Sequence, residues 1–217
     1  MTNTTYNILL DTNIIAYVIA SNSPNLDYRI RARLTRNLIE DNNTIIILYE
    51  EQRYHEIPRT VEDLIIMGRV GRHRIDIVEA LMEEIETYLN SLEEIGKVYI
   101  IKRDPQLIIR AGELYKILNK HYRGKIRGKI SSDLKLIATA EKENATITTR
   151  DNQLYNYYRK ALHEKTNIPS MYYLDIDPNG KWAGYKICGQ RIKPLEIALS
   201  KACIDENIAY KIPQTEC

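Results

Sequence analysis

The chain contains no phenylalanine, a single tryptophan and only three cysteines. Cys188, Cys203 and Cys217 are too few and too late in the chain to form a disulfide framework or a zinc-binding pattern. A reducing cytoplasm is therefore the expected location. The 16 tyrosines must supply core packing that phenylalanine usually provides. An exposed tyrosine is for that reason weaker evidence of base stacking here than in most proteins.

Long apolar runs are also absent. No stretch is long enough to span a bilayer, and the first residues lack the basic start and apolar centre of a signal peptide. The formal net charge is only +2, so the total charge does not identify a partner. With 44% hydrophobic and 28% charged residues, the composition is that of a folded globular protein. Its length of 217 residues suits one sizeable domain or a domain with an appendage.

Short apolar runs alternate with amphipathic helical segments along most of the chain. Strands are predicted at residues 7–10, 44–49, 97–101, 145–149 and 171–176. Strands that alternate with helices predict an α/β fold with a parallel twisted sheet flanked by helices.

The end of the chain breaks this alternation. Residues 177–180 predict a turn, 182–187 a returning hairpin strand and 194–202 a last helix, after which the tail is expected to fray. We therefore expect one domain over residues 1–177. A C-terminal hairpin and helix extension over 178–217 is expected to pack on it.

Three aspartates lie where a parallel sheet would bring them to one edge. Asp11 follows the first predicted strand, Asp151 follows the strand over 145–149, and Asp133 lies in the first turn of a helix. Each aspartate alone could simply cap a helix. Together they predict a cluster of oxygen ligands that selects Mg²⁺ or Mn²⁺. Such a site suits hydrolysis of phosphodiesters, because the metal activates water and neutralises charge on the phosphate.

A fourth candidate acid, Asp63, lies in the helix that starts near Pro58. Glu62 is adjacent, and Glu56 precedes the proline.

Four acidic segments resemble, in order and spacing, the motifs of PIN-domain ribonucleases. They are ILLDTN at 8–13, IPRTVEDL at 57–64, SDLKLIATA at 132–140 and ITTRD at 147–151. The resemblance covers roughly residues 6–177. It implies a PIN-like three-layer α/β/α fold and a metal-dependent endoribonuclease. The catalytic acids that it implies are Asp11, Asp63, Asp133 and Asp151, with Asp11, Asp133 and Asp151 as metal ligands and Thr149 as a polar neighbour.

The chain departs from the family pattern in three places. The second motif usually carries Glu before Leu, so Glu62 is an alternative to Asp63. Residues 50–56 look like an insertion. The chain is also longer than the compact toxin members of the family, which argues against a simple toxin role.

Two segments rich in basic residues and glycine flank the predicted site. Residues 120–129 precede Asp133, and residues 68–74 follow the helix that carries Asp63. Glycine lets a loop follow a phosphate backbone, and each basic contact adds affinity that depends on salt rather than on sequence. The predicted RNA contacts are Arg72, Arg74, Arg123, Lys125, Arg127 and Lys129.

RNA is the expected partner; a protein inhibitor and a homodimer are left open, and no membrane is expected. Two alternative functions remain. One is a nucleic-acid-binding scaffold of PIN-like fold without catalysis. The other is a DNA nuclease of the flap-endonuclease type, although such enzymes carry more acids and a DNA-clamping helical element that is not identified in this sequence.

Overall fold

The computed structural model describes residues 4–68, 78–128 and 130–217, with only the backbone of residues 78–82. The strands are β1 (Tyr6–Leu10), β2 (Thr44–Tyr49), β3 (Val98–Ile101), β4 (Thr146–Thr149), β5 (Ser170–Ile176), β6 (Trp182–Gly189) and β7 (Ala209–Thr215). The helices are α1 (Thr12–Ile15), α2 (Leu26–Glu40), α3 (Ile57–Ile66), α4 (Val78–Glu94), α5 (Pro105–His121), α6 (Ser131–Lys142), α7 (Asn152–Tyr157) and α8 (Lys193–Asp205). None of the described helices combines the length and the apolar character needed to cross a membrane.

The strands form one sheet in the order β3-β2-β1-β4-β5-β6-β7. β1 pairs in parallel with β2 and β4, and the parallel arrangement extends outward to β3 and β5. β6 returns antiparallel to β5, as the hairpin prediction requires. The predicted α/β fold with a mostly parallel sheet is thus confirmed. β1 lies inside this sheet, between β2 and β4, so its carboxyl end lies between the carboxyl ends of these two strands.

Each face of the sheet covers a hydrophobic core. Ile8 and Leu10 of β1 pack into one core with residues of α2, α3 and α8. Leu9, between them, packs into the opposite core with residues of α5, α6 and α7. Because successive side chains of a strand point to opposite faces, a strand buried on both faces must be apolar at every position. The helices on both faces make the three layers of an α/β/α arrangement.

The C-terminal tail does not fray. It forms β7, which pairs in parallel with β6 after the chain crosses back through α8. The strand contains Pro213, and a proline in a sequence argues against a central strand. A proline is tolerated in an edge strand such as β7. Gly184 permits the pairing, since a Cβ atom there would lie 2.8 Å from the carbonyl oxygen of Lys211. β6 and β7 continue the same sheet, while the division of the chain at residue 177 stays a prediction.

The structure also contains a disulfide that the sequence analysis did not predict. Cys188 of β6 is bonded to Cys217, two residues after the end of β7, and Cys203 is buried as a free thiol. The pairing was missed because it depends on β7, which brings Cys217 alongside β6. The cytoplasmic location stays a prediction, and this bond argues against it, because disulfides persist mainly in oxidising compartments.

The disulfide predicts the number of reactive thiols. In denaturant without a reductant, we expect one thiol per chain, that of Cys203, to react with a thiol reagent, and three to react after reduction. A Cys203→Ser variant should show none before reduction. Three reactive thiols in the unreduced, denatured protein would contradict the pairing.

Candidate functional site

Asp11 lies at the carboxyl end of β1, beside the end of β4. Its backbone amide donates to the carbonyl oxygen of Thr148 at 2.9 Å, which continues the pairing of the two strands by one residue. Asp11 occupies the N-cap position of α1, yet its side chain makes no capping hydrogen bond. Instead, its Oδ2 accepts from the Thr149 hydroxyl at 2.6 Å and from the Asn13 side-chain amide at 2.7 Å. The carboxylate is therefore directed toward the end of β4 rather than used as a cap.

Asp151 serves both as a helix cap and as a member of the acidic cluster. Its Oδ1 accepts from the backbone amides of Gln153 at 2.7 Å and Leu154 at 3.0 Å, at the start of α7. Its Oδ2 accepts from Nη1 of Arg127 at 2.6 Å. The backbone amide of Asp151 donates to the Thr149 hydroxyl at 2.9 Å, which links it to the residue that also holds Asp11.

Arg127 joins Asp151 to Asp133. Asp133 lies in the first turn of α6, and Nη2 of Arg127 donates to its Oδ2. The backbone amide of Arg127 donates to the Tyr157 hydroxyl at 2.9 Å, which fixes the loop that carries the guanidinium. A positive charge thus already lies between two of the three predicted metal ligands.

Glu56 is the fourth acid of the cluster. It ends a turn of π-helix over Gln52–Glu56, within the insertion noted in the sequence. Its Oε2 accepts from the hydroxyl of Thr12 at 2.8 Å, and its Oε1 accepts from the hydroxyl of Tyr49 at 2.6 Å. Together with Asp11 it lines an open pocket of about 340 Å³.

Asp63 and Glu62, the predicted second-motif acids, are exposed on α3. Asp63 follows Glu56 by seven residues, which places it about 10 Å farther along the helix axis. Glu56, and not Asp63, is among the charges that act most on Asp11 and Asp133. The catalytic role of Asp63 stays a prediction, and this geometry favours Glu56 instead.

Burial and like charges raise the pKa of two of the aspartates. Burial raises the pKa of Asp11 to about 7; the charges of Asp133, Asp151 and Glu56 add to this, and the Thr149 hydroxyl opposes it. Burial also raises the pKa of Asp133 to about 6, against the opposing effect of the Arg127 guanidinium. Without a further cation, the cluster therefore holds protons near neutral pH.

The donor chemistry of the cluster fits a hard divalent cation. It consists of carboxylates with the Thr149 hydroxyl and contains no nitrogen or sulfur ligand. The three aspartates are not as close as direct ligands of one ion. Among the residues with described side chains, the only three His, Cys, Asp or Glu residues whose ligand atoms lie within 4.8 Å of one another are His163 and the disulfide-bonded Cys188 and Cys217.

The predicted RNA contacts are only partly described. Arg123 and Lys125 are exposed on the loop between α5 and α6, whereas Arg127 turns inward to the aspartates. Arg72, Arg74 and Lys129 lie outside the described residues. RNA binding by these residues stays a prediction.

Sequence reasoning missed the part that Glu56, Tyr49 and Asn13 play in the site. Asn13 and Tyr49 adjoin the ends of β1 and β2, and Glu56 immediately precedes α3. Strand ends and helix starts meet at one edge of a parallel α/β sheet. That rule, applied to every polar residue at such a position, is the signal that would have found them.

In comparisons with known proteins, no family model matches this chain and no curated protein matches it significantly.

The raised pKa of Asp11 predicts a pH-dependent stability. The native protein holds the Asp11 proton more tightly than the unfolded chain, so in EDTA stability should fall as pH rises from 3.8 to about 7. The loss is at most about 1.4 kcal/mol per pH unit. Asp11→Asn cannot ionise, and we expect it to be more stable than the parent protein at about pH 8 and to show less of this pH dependence in urea unfolding.

Asp63→Asn is the matched control, because Asp63 is exposed. It should leave the pH dependence unchanged. An Asp11→Asn variant with the pH dependence of the parent protein would contradict the assignment of the titration to Asp11.

Proposed function

We propose that this protein is a metal-dependent endoribonuclease with a PIN-like fold. The observation that supports the proposal is the convergence of Asp11, Asp133 and Asp151. They come from three separate segments, yet they interact at the carboxyl edge of one parallel sheet. Buried acids with raised pKa values, as Asp11 and Asp133 have, are costly for stability and useful for binding cations.

Asp11, Asp133 and Asp151 would hold Mg²⁺ or Mn²⁺. When bound, the ion supplies an activated water and neutralises charge on the phosphate that is cleaved. Thr149 and Asn13 fix the orientation of the Asp11 carboxylate, and the capping bonds of Asp151 fix that of the second acid. Such fixed orientation of acidic groups is what catalysis at a metal site requires from the protein.

Arg127 would change partners when the site is used. Its guanidinium neutralises Asp133 and Asp151 in the absence of an ion. A divalent cation at these acids would compete with it, because both are attracted by the same carboxylates. Once released, the guanidinium would lie on a loop beside the site, where planar, bidentate binding of an RNA phosphate is available to it.

The same ion pairs favour a second candidate function. Because Arg127 already satisfies two of the acids, the domain could bind nucleic acid without a metal and without cleavage. The two functions differ in their need for Mn²⁺, so one set of assays separates them. The same assays on DNA test the flap-type alternative.

Cleavage depends on the aspartates in the first proposal. With Mn²⁺, we expect endonucleolytic cleavage of a labelled single-stranded RNA and little cleavage of the DNA of the same sequence. Asp11→Asn and Asp133→Asn should each lower the rate at least about 100-fold, because each removes a charged oxygen ligand. Circular dichroism should show an unchanged fold.

Two further variants identify the fourth acid. Glu56→Gln should lower the cleavage rate about 10-fold or more, because Glu56 accepts a hydrogen bond from Thr12, the residue after Asp11. Asp63→Asn should leave the rate unchanged, because Asp63 is exposed. The reverse pattern would assign the role to Asp63. Full, EDTA-sensitive activity in Asp11→Asn would refute the nuclease proposal. RNA binding without cleavage would favour the scaffold, and efficient DNA cleavage the flap-type nuclease.

Competition by Arg127 predicts tighter metal binding when its charge is removed. Arg127→Gln should bind Mn²⁺ about 10-fold more tightly in calorimetry, because the acids lose a competing cation. Arg123→Gln, on the same loop and exposed, is the control and should bind Mn²⁺ like the parent protein. Equal affinity of the parent protein and Arg127→Gln would show that Arg127 does not compete for the site.

A further inference from the structure

A second pocket, of about 450 Å³, lies at the carboxyl ends of β2 and β3. Its walls include Tyr49, Tyr54, Lys102, Arg103, Ile108 and Thr139. Its volume is within the range of about 300–1,000 Å³ that is usual for small-molecule sites.

The pocket shares two structural elements with the acidic cluster. Tyr49, which ends β2 and lines the pocket, donates its hydroxyl to Glu56 of the cluster at 2.6 Å. Helix α6 carries Asp133 at the cluster and, farther along, Lys135 and Thr139 at the pocket. A ligand in this pocket would therefore lie next to a phosphate bound at the aspartates.

Tyr54 offers a supported aromatic surface. Its side chain is 49% exposed, and Ile108, 44% exposed, lines the same pocket. The buried guanidinium of Arg53 lies 5.1 Å from the centre of the Tyr54 ring, and Glu86 and Glu93 hold it in place. An aromatic ring on a fixed support and an exposed aliphatic side chain provide surfaces on which a flat base can stack.

Two of the three acids at this pocket are paired with cations, and two of its basic side chains are not paired with acids among the described residues. Its acids are already engaged by protein partners: Glu51 by Lys135, Asp104 by Lys142 and the start of α5, and Glu50 by the backbone amide of Arg103. The side chains of Lys102 and Arg103 are exposed and form no ion pair with a described residue. They are placed to attract a phosphate.

We propose that this pocket binds one nucleobase of the RNA strand whose phosphate lies at the acidic cluster. The base stacks on Tyr54 beside Ile108, and Lys102 and Arg103 contact the phosphate of the same nucleotide. The proposal rests on the proposed function, because it takes RNA as the ligand. It adds a base-binding subsite, formed partly by the segment over residues 50–56, to the acids that would hold the metal ion.

The test measures RNA binding without cleavage. Asp11→Asn protein is titrated with a labelled ten-nucleotide RNA and with versions that carry one abasic position each. We expect one abasic position to weaken binding about 10-fold, which is the value of one stacked base. Tyr54→Ala should cost the same factor, and the two losses should not multiply, because both remove the same contact. Tyr54→Phe should bind like the parent, since it keeps the ring.

Tyr115→Ala is the control for Tyr54→Ala, because Tyr115 is about as exposed as Tyr54 and lies on α5 outside the pocket. The subsite would be overturned if the losses of affinity from the abasic position and from Tyr54→Ala multiplied. It would also be overturned if Tyr54→Ala and Tyr115→Ala weakened RNA binding equally. If the unsubstituted protein with Mn²⁺ binds RNA but does not cleave it, the nuclease proposal fails. The subsite is then still tested by combining Tyr54→Ala with the abasic RNA. If the unsubstituted protein cleaves RNA and no abasic position matters, only the subsite fails. Absence of RNA binding would overturn both.

Discussion

Burial of carboxylates close to one another at one edge of the sheet is the constraint on which the site depends. Burial, aided by neighbouring negative charges, raises the pKa values of Asp11 and Asp133, and Arg127 pairs with Asp133 and Asp151. Neutral donors such as the Thr149 hydroxyl add hydrogen bonds but no charge. Arg127 is the cation that pairs with Asp133 and Asp151 among the described residues, so another cation bound at these two acids would have to displace its guanidinium.

The sheet keeps the acids together because its register is fixed from both faces. β1 is buried on both faces, and Leu9 and Leu10 belong to different cores. A shift of one residue would exchange every side chain between these cores and would move Asp11 away from Thr149. Packing far from the site therefore determines its geometry, and each acid needs only a local hydrogen bond to complete its orientation.

Much of the fold and part of the site could be predicted from the sequence. The five parallel strands were evident as short runs rich in apolar or β-branched residues, and their positions before Asp11 and Asp151 placed these two acids at a common edge. Glu56 was not assigned to the site, because a turn of π-helix has no periodic signature that separates it from a loop. Strand β7 and the disulfide at Cys217 depend on tertiary pairing at an edge, where a proline is tolerated and local patterns carry little information.

The two edge strands of the sheet, β3 and β7, are poor templates for pairing with strands of other molecules. β3 has four residues, and β7 contains Pro213, which cannot donate a backbone hydrogen bond. Neither border offers a long row of free amide and carbonyl groups as a template. Growth of the sheet by adding strands from other molecules, the route to fibrils and to many aggregates, is therefore disfavoured at both borders.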